Sequence, residues 1–209
     1  MSKVYESITA KLRGWIEAQH VFFVATAPLA GDGHINLSPR GGTGTFAVLD
    51  EHRVAWLDLT GSGAETIAHL RENRRVVVMF CGFDGPPQIV RLHGLGRVVV
   101  PEDAEWETLV SNFPARPGAR AIIVVDVTRV SDSCGFSVPR MEYVGDRDLL
   151  DRWAEKKGPD KLVAYREEKN AVSIDGLPAL GEPAAPIPFQ PGEPLGAGER
   201  ADCAAGDLA

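Results

Sequence analysis

Two hydroxyl side chains and two arginines flank a short segment that could bind an anion. The segment Gly61-Ser62-Gly63-Ala64-Glu65-Thr66 follows an apolar run and opens a helical pattern that ends before Arg74 and Arg75. The first turn of a helix has unpaired N–H groups and partial positive charge, so it suits a phosphate. A plain strand-to-helix turn capped by Ser62 explains the same residues equally well. A helix of this length rises about 15 Å, so Arg74 would have to turn back to reach such a ligand, and a solvated corner is the alternative.

Other motifs of chemical interest are weak. The segment 61–66 imitates the dinucleotide fingerprint but lacks its third glycine, and Gly42-Thr43-Gly44 leads into a strand, so a nucleotide-binding α/β domain is a poor fit. The histidines show no metal-ligand spacing, which predicts no metal site. Cys134 has no base nearby in the sequence, and no side chain is assigned a catalytic role.

A polar row precedes this region. In 34–40, His34, Asn36, Ser38 and Arg40 alternate with apolar residues, so they share one face of a strand. Such a face is either solvated or lines a polar ligand site. From the alternation alone, the solvated face is the better interpretation.

The elements that must position these residues are mostly strands. Short apolar or alternating runs predict strands over 21–27, 34–40, 45–49, 53–59, 76–83, 88–100 and 121–127. Helical spacing predicts helices over 4–19, 147–157 and 160–169. Gly94 and Gly96 inside one strand indicate a bulge or bend. Six or seven strands in hairpin-like succession favour an antiparallel barrel with added helices.

Composition restricts the class of protein. The 209 residues are 44% hydrophobic and 24% charged, as in ordinary globular domains. A net charge of −7 argues against nucleic acid or an anionic membrane as the main partner. Three cysteines without paired spacing, no apolar signal core and no membrane-length apolar run favour the cytoplasm.

The order of several motifs resembles one family. Ile35-Asn36-Leu37-Ser38-Pro39-Arg40-Gly41, the stretch 56–66, Glu72-Asn73-Arg74-Arg75-Val76 and the stretch 91–98 together look like the FMN-binding split-barrel proteins related to pyridoxamine 5′-phosphate oxidase. The resemblance covers roughly residues 5–130. The segments 133–139 and 165–180 look like a subgroup extension of the same proteins.

The resemblance implies a mainly β fold with flanking helices, a six-stranded antiparallel split barrel that forms a homodimer with FMN at the interface. It implies that the strand at 35–40 runs along the flavin ring, that Arg40 and the helix start approach the phosphate, and that the strand at Arg91 lies on the flavin's other side. The family's lysine near Thr66 is absent, so Arg40 or Arg74 would supply the charge. The implied cofactor-binding residues are Asn36, Leu37, Ser38, Arg40, Thr60, Ser62, Thr66, Arg74 and Arg91.

The resemblance also implies a function. An FMN-dependent oxidoreductase acting on a small-molecule substrate or electron donor is expected; the alternative is a non-catalytic flavin or haem protein, a carrier or sensor. Vitamin B6 oxidation is not supported, because the tryptophan- and arginine-rich end that binds that substrate is missing. Residues 1–180 are expected to form the domain. Residues 181–209, rich in Pro, Gly and Ala, are expected to be a tail without stable structure.

Overall fold

The computed structural model describes residues 3–180, and the tail expected at 181–209 lies outside the described residues. The strands are β1 Lys3–Tyr5, β2 Val21–Thr26, β3 Asn36–Gly41, β4 Phe46–Asp50, β5 Arg53–Leu59, β6 Arg75–Cys81, β7 Gln88–Val99 and β8 Ala119–Cys134. The helices are α1 Ala10–Glu17, α2 Glu65–Asn73, α3 Trp106–Val110, α4 Leu149–Lys157 and α5 Pro159–Lys169.

All strand pairs in residues 3–180 are antiparallel and belong to one sheet. The order is β3-β2-β6-β7-β8-β5-β4, and β1 pairs with β8 beside this path. This confirms the mainly β antiparallel fold with flanking helices. The described sheet has eight strands, whereas six were expected. Strands β2 to β8 correspond to the seven runs that the sequence pattern predicted, and β1, which pairs with the C-terminal part of β8, is the additional strand.

The sheet curls into a half-barrel around an aromatic core. Phe22 of β2 and Phe46 of β4 stand near opposite ends of the strand order, yet their ring centroids are 5.0 Å apart. Trp56 and Phe80 pack against the same rings. Contacts between such distant strands require strong curvature, which brings the two ends of the sheet around one interior.

The glycines of β7 help this curvature, as predicted. The β7–β8 register shifts between His93 and Gly94. A Cβ atom at Gly94 would lie 2.3 Å from the carbonyl oxygen of Asp126 on β8. The close backbone approach at this irregularity is open only to glycine.

The predicted helix over 4–19 is wrong at its beginning. Residues Lys3–Tyr5 form β1, and the Tyr5 hydroxyl donates a 2.6 Å hydrogen bond to Asp132 of β8. The helix begins only at Ala10, where the Thr9 side chain accepts a hydrogen bond from the Leu12 N–H. Apolar spacing alone does not distinguish a short strand from the first turn of a helix. Here the pairing of residues 3–5 with β8 determines that they form a strand.

Helices pack on both faces of the sheet, α2 against the cluster that contains Trp56 and α3 against the opposite face of β5 and β8. Helix α2 packs on β2, β6 and β7 through buried Ile67 and Leu70. Helices α4 and α5 pack on each other, and residues 170–180 turn back toward β3. None of the helices in the described range has the length and hydropathy needed to cross a bilayer.

Candidate functional site

Three members of the polar row, Asn36, Ser38 and Arg40, face the interior of the half-barrel, whereas His34 is exposed and pairs with Asp175. The Asn36 amide donates 3.0 Å hydrogen bonds to the hydroxyls of Thr26 and Thr66, and Ser38 donates to Asn36 at 2.7 Å. Leu37, between them, is 65% exposed. The interpretation of the row as a solvated face therefore holds for His34 but is wrong for Asn36, Ser38 and Arg40, which are half-buried. Ser38 and Arg40 pair with the buried core residues Val24 and Phe22 of β2, so this face of the curled sheet turns inward.

A buried carboxylate organises the basic side chains beside this row. Asp58 has no exposed surface; it accepts 2.6 Å hydrogen bonds from Arg40 Nη1 and from Arg120 Nε. Burial by itself raises the pKa of Asp58, but the attraction of the two arginines and their hydrogen bonds outweigh it and lower that pKa. The group is thus an arginine–aspartate–arginine triad with one net positive charge.

The two arginines of the triad line a small polar cavity of about 190 Å³, whereas Asp58 does not. Arg40 Nη2 also contacts the Thr66 hydroxyl at 3.3 Å, whereas Arg40 Nε is buried without a hydrogen-bond partner among the described residues. The Thr66 oxygen accepts from Asn36 and Arg40, which leaves its own O–H free to donate. The guanidinium groups and the Thr66 hydroxyl suit a small anion such as a phosphate, and the carboxylate of Glu65 also lines the cavity. The remaining lining comes from Ser38, Pro39, Leu59, Gly61 and Gly63.

A second, larger cavity of about 770 Å³ adjoins the first. The two share Pro39, Arg40 and Leu59. The second is bounded on one side by parallel rings of His20 and Tyr143, whose centroids are 3.5 Å apart. The other lining residues include Val21, Phe23, Phe83, Met141 and Leu150. A ligand with an anionic end and a flat, largely apolar body matches this pair of cavities.

The turn before α2 is built differently from the prediction. The helix begins at Glu65 with Ala64 as its N-cap, without a side-chain hydrogen bond, so capping by Ser62 is wrong. Ser62 is exposed and does not line the small cavity. Thr60 is buried; its hydroxyl donates to the Gly118 carbonyl and accepts from Arg166. Of the three hydroxyls proposed here, only Thr66 faces the cavity.

Two predicted basic residues lie elsewhere. Arg74 ends α2 in the left-handed conformation (φ 64°), where it donates to the Gly96 carbonyl and approaches Asp126 at 3.7 Å. Arg91, on β7, donates to Ser133 at 3.1 Å. Neither lines the two cavities described above, nor does the exposed side chain of Leu37.

Sequence reasoning missed Asp58, Arg120 and Asn170. A signal was present for the first two, because each charge interrupts an apolar strand pattern, and a charge inside a buried strand needs a partner. Nothing in the sequence marks Asn170, which ends an ordinary helix.

Comparisons with known proteins agree with this architecture. The sequence model of the family described as pyridoxamine 5′-phosphate oxidase matches residues 8–134. The "Pyridoxamine 5′-phosphate oxidase family protein ustO" of Aspergillus flavus is 42% identical over 192 residues, which covers 84% of this chain and 77% of that protein.

Solved structures show more distant similarity. HupZ from Group A Streptococcus is 18% identical with a TM-score of 0.47, over 59% of this chain and 91% of that chain. An FMN-binding protein from Syntrophomonas wolfei is 14% identical with a TM-score of 0.42, over 56% and 80% of the two chains. Both are too distant to support a functional assignment. The family match and the Aspergillus relative together show that the chain belongs to the pyridoxamine 5′-phosphate oxidase family.

Proposed function

We propose that the chain is an FMN-dependent oxidoreductase that binds the FMN phosphate in the small cavity and the flavin ring in the larger one. The observation that carries the proposal is the position of Arg40. Its side chain lines both cavities, so it lies where they adjoin. A ligand with a phosphate at one end and a planar ring at the other would fill both cavities and place its phosphate beside this guanidinium group.

The two guanidinium groups of the small cavity support a phosphate. Arg40 and Arg120 share the single negative charge of Asp58. The resemblance implied that Arg40 or Arg74 replaces the family's missing lysine; we propose that Arg40 and Arg120 together do so. Hydrogen bonds from guanidinium groups to phosphate are charge-assisted and directional. Thr66 would add a neutral donor.

When bound, FMN supplies the hydride or electron chemistry. The side chains described above would hold the phosphate and exclude water from the ring. We assign no acid–base residue. The substrate or electron donor is proposed to be a small molecule that enters the larger cavity.

We also propose that the chain acts as a homodimer. Two apolar side chains on or beside edge strand β3, Ile35 and Leu37, are 77% and 65% exposed. A second copy covering this face would bury them next to the flavin. Sedimentation of the purified protein at the mass of a monomer would refute this part of the proposal.

The test of the cofactor site compares two flavins that differ only in the phosphate. We expect purified protein to bind FMN at least about tenfold more tightly than riboflavin, because a charge-assisted hydrogen bond contributes about 1.5–3 kcal/mol. Thr66→Val should reduce this preference, and the matched change Ser62→Ala should preserve it. Equal binding of FMN and riboflavin by the unmodified protein would refute the phosphate site.

Turnover separates the two functional classes. An oxidoreductase should show reduction of its flavin by NAD(P)H or another donor and reoxidation by an acceptor, followed by absorbance. Bound flavin that no donor reduces would instead indicate a carrier or sensor. A haem spectrum in the purified protein would refute the flavin assignment.

A further inference from the structure

We infer that Asn170, at the end of α5, is a positioning residue for the anion site, acting through Arg120 and the turn before α2. The inference rests on the proposed phosphate site. Asn170 lies outside residues 8–134, which the family model matches, so the C-terminal extension contributes to a site otherwise built by the barrel.

The Asn170 side chain is completely buried and uses both ends of its amide. Its Oδ1 accepts a 2.7 Å hydrogen bond from Arg120 Nη1. Its Nδ2 donates to the carbonyl oxygens of Gly61, at 2.9 Å, and Ser62, at 3.4 Å. An amide can accept at one end and donate at the other, which neither a carboxylate nor an ammonium group can do.

These contacts determine where Arg120 points. Its Nε binds Asp58, its Nη2 donates to the Gly63 carbonyl at 2.8 Å, and its Nη1 donates to Asn170. Only 2% of the Arg120 side chain is exposed. A guanidinium group has five N–H donors in one plane, so three fixed contacts set that plane and leave two donors for an anion in the cavity.

The turn at 61–63 needs this external support. It contains two glycines, and α2 begins without a side-chain cap. The neighbouring Arg166 of α5 donates to the Thr60 hydroxyl at 2.8 Å and to the Ala119 carbonyl at 3.0 Å. The end of α5 is thus hydrogen-bonded to the residues at the end of β5 and the start of β8. Asn170 adds the hydrogen bonds to the turn at 61–62, beside the small cavity.

The experiment measures the ratio of riboflavin to FMN dissociation constants in full-length protein. Asn170→Asp keeps the side-chain shape, but it adds a second negative charge beside Arg120 and removes the donors to the turn. We expect it to lower the ratio about tenfold, the size of one charge-assisted hydrogen bond, and to leave riboflavin affinity within about twofold. Asn73→Asp is the matched control, because Asn73 donates to the Ala27 carbonyl at the opposite end of α2. It should keep the ratio of the unmodified protein.

The outcomes separate this inference from the proposed function. If the unmodified protein shows no preference for FMN, the phosphate site and this inference both fail. If it prefers FMN and Asn170→Asp keeps the ratio, only the role of Asn170 is refuted. An equal loss of affinity for FMN and for riboflavin would also refute the role of Asn170, because that result indicates a general loss of structure. If Asn170→Asp does not unfold cooperatively, Asn170→Ser, which adds no charge, is measured in the same way.

Discussion

Replacing Asp58 by asparagine removes a buried carboxylate that two arginines share. The side chain keeps its shape, but one oxygen becomes an NH₂ group that faces an arginine donor. Arg40 and Arg120 then keep their charges in a region where Asp58 has no exposed surface and the Arg120 side chain is 2% exposed. Uncompensated charge in such surroundings is costly, so the change should destabilise the fold strongly.

The expected magnitude follows from the burial. Breaking a buried ion pair by removing one partner costs about 3–5 kcal/mol. At about 2–4 °C per kcal/mol for a domain of this size, Tm should fall by roughly 6–20 °C. Urea denaturation and thermal unfolding, followed by circular dichroism, measure the two quantities independently.

The chain offers a matched control in Asp126→Asn. Asp126 pairs with Arg53 at 3.0 Å and with Arg74 at 3.7 Å, but the side chains of Asp126, Arg53 and Arg74 are 45%, 48% and 35% exposed. An exposed pair contributes no more than about 1 kcal/mol, so this substitution should change the free energy of unfolding only slightly.

The pH dependence gives a second check. The pKa of Asp58 is lowered in the folded protein. Its contribution to the free energy of unfolding is therefore complete above the ordinary pKa of 3.8 and is lost only as the pH falls through the lower folded value. The loss of unfolding free energy caused by Asp58→Asn should therefore be the same at pH 5 and pH 8. A deficit no larger than that of Asp126→Asn would refute our account of the triad.

Two further predictions concern the bend of β7 and the attachment of the C-terminal turn. Gly94→Ala should cost about 1–3 kcal/mol and more than Gly96→Ala, because the new Cβ meets a backbone carbonyl at Gly94 but a rotatable leucine methyl at Gly96; equal losses in urea denaturation would contradict this. His34 binds Asp175 at 2.6 Å, and this hydrogen bond is the main cause of the raised pKa of His34. The contribution of the pair to stability is therefore complete below pH 6.5 and is lost as the pH rises through the folded pKa. Asp175→Asn should therefore lower Tm more at pH 6 than at pH 9, and a pH-independent difference would argue against the pair.

Much of the fold was predictable because it depends on local pattern. Hairpin-like succession of short strands led to an antiparallel sheet, and the glycines of β7 led to a bend, both as found. The short strand β1 was missed because its few residues match a helical pattern, and only pairing with β8 stabilises it as a strand.

The candidate site was predictable only in part. The sequence pointed to Asn36, Ser38, Arg40 and Thr66, which the structure brings together in one hydrogen-bonded cluster. It also pointed to Arg74, which lies at the far end of α2 because a nine-residue helix separates the two ends.

By itself the sequence determined the strand periodicity, the turn before α2 and the existence of a polar face on β3. Only the tertiary structure decided that this face points inward, because alternation defines two faces and the curl of the sheet selects between them. It alone also joined Asp58 to Arg120 and Arg120 to Asn170, which are 62 and 50 residues apart. Buried charges pair according to their distance in the folded structure, and the separation of residues along the chain does not predict that distance.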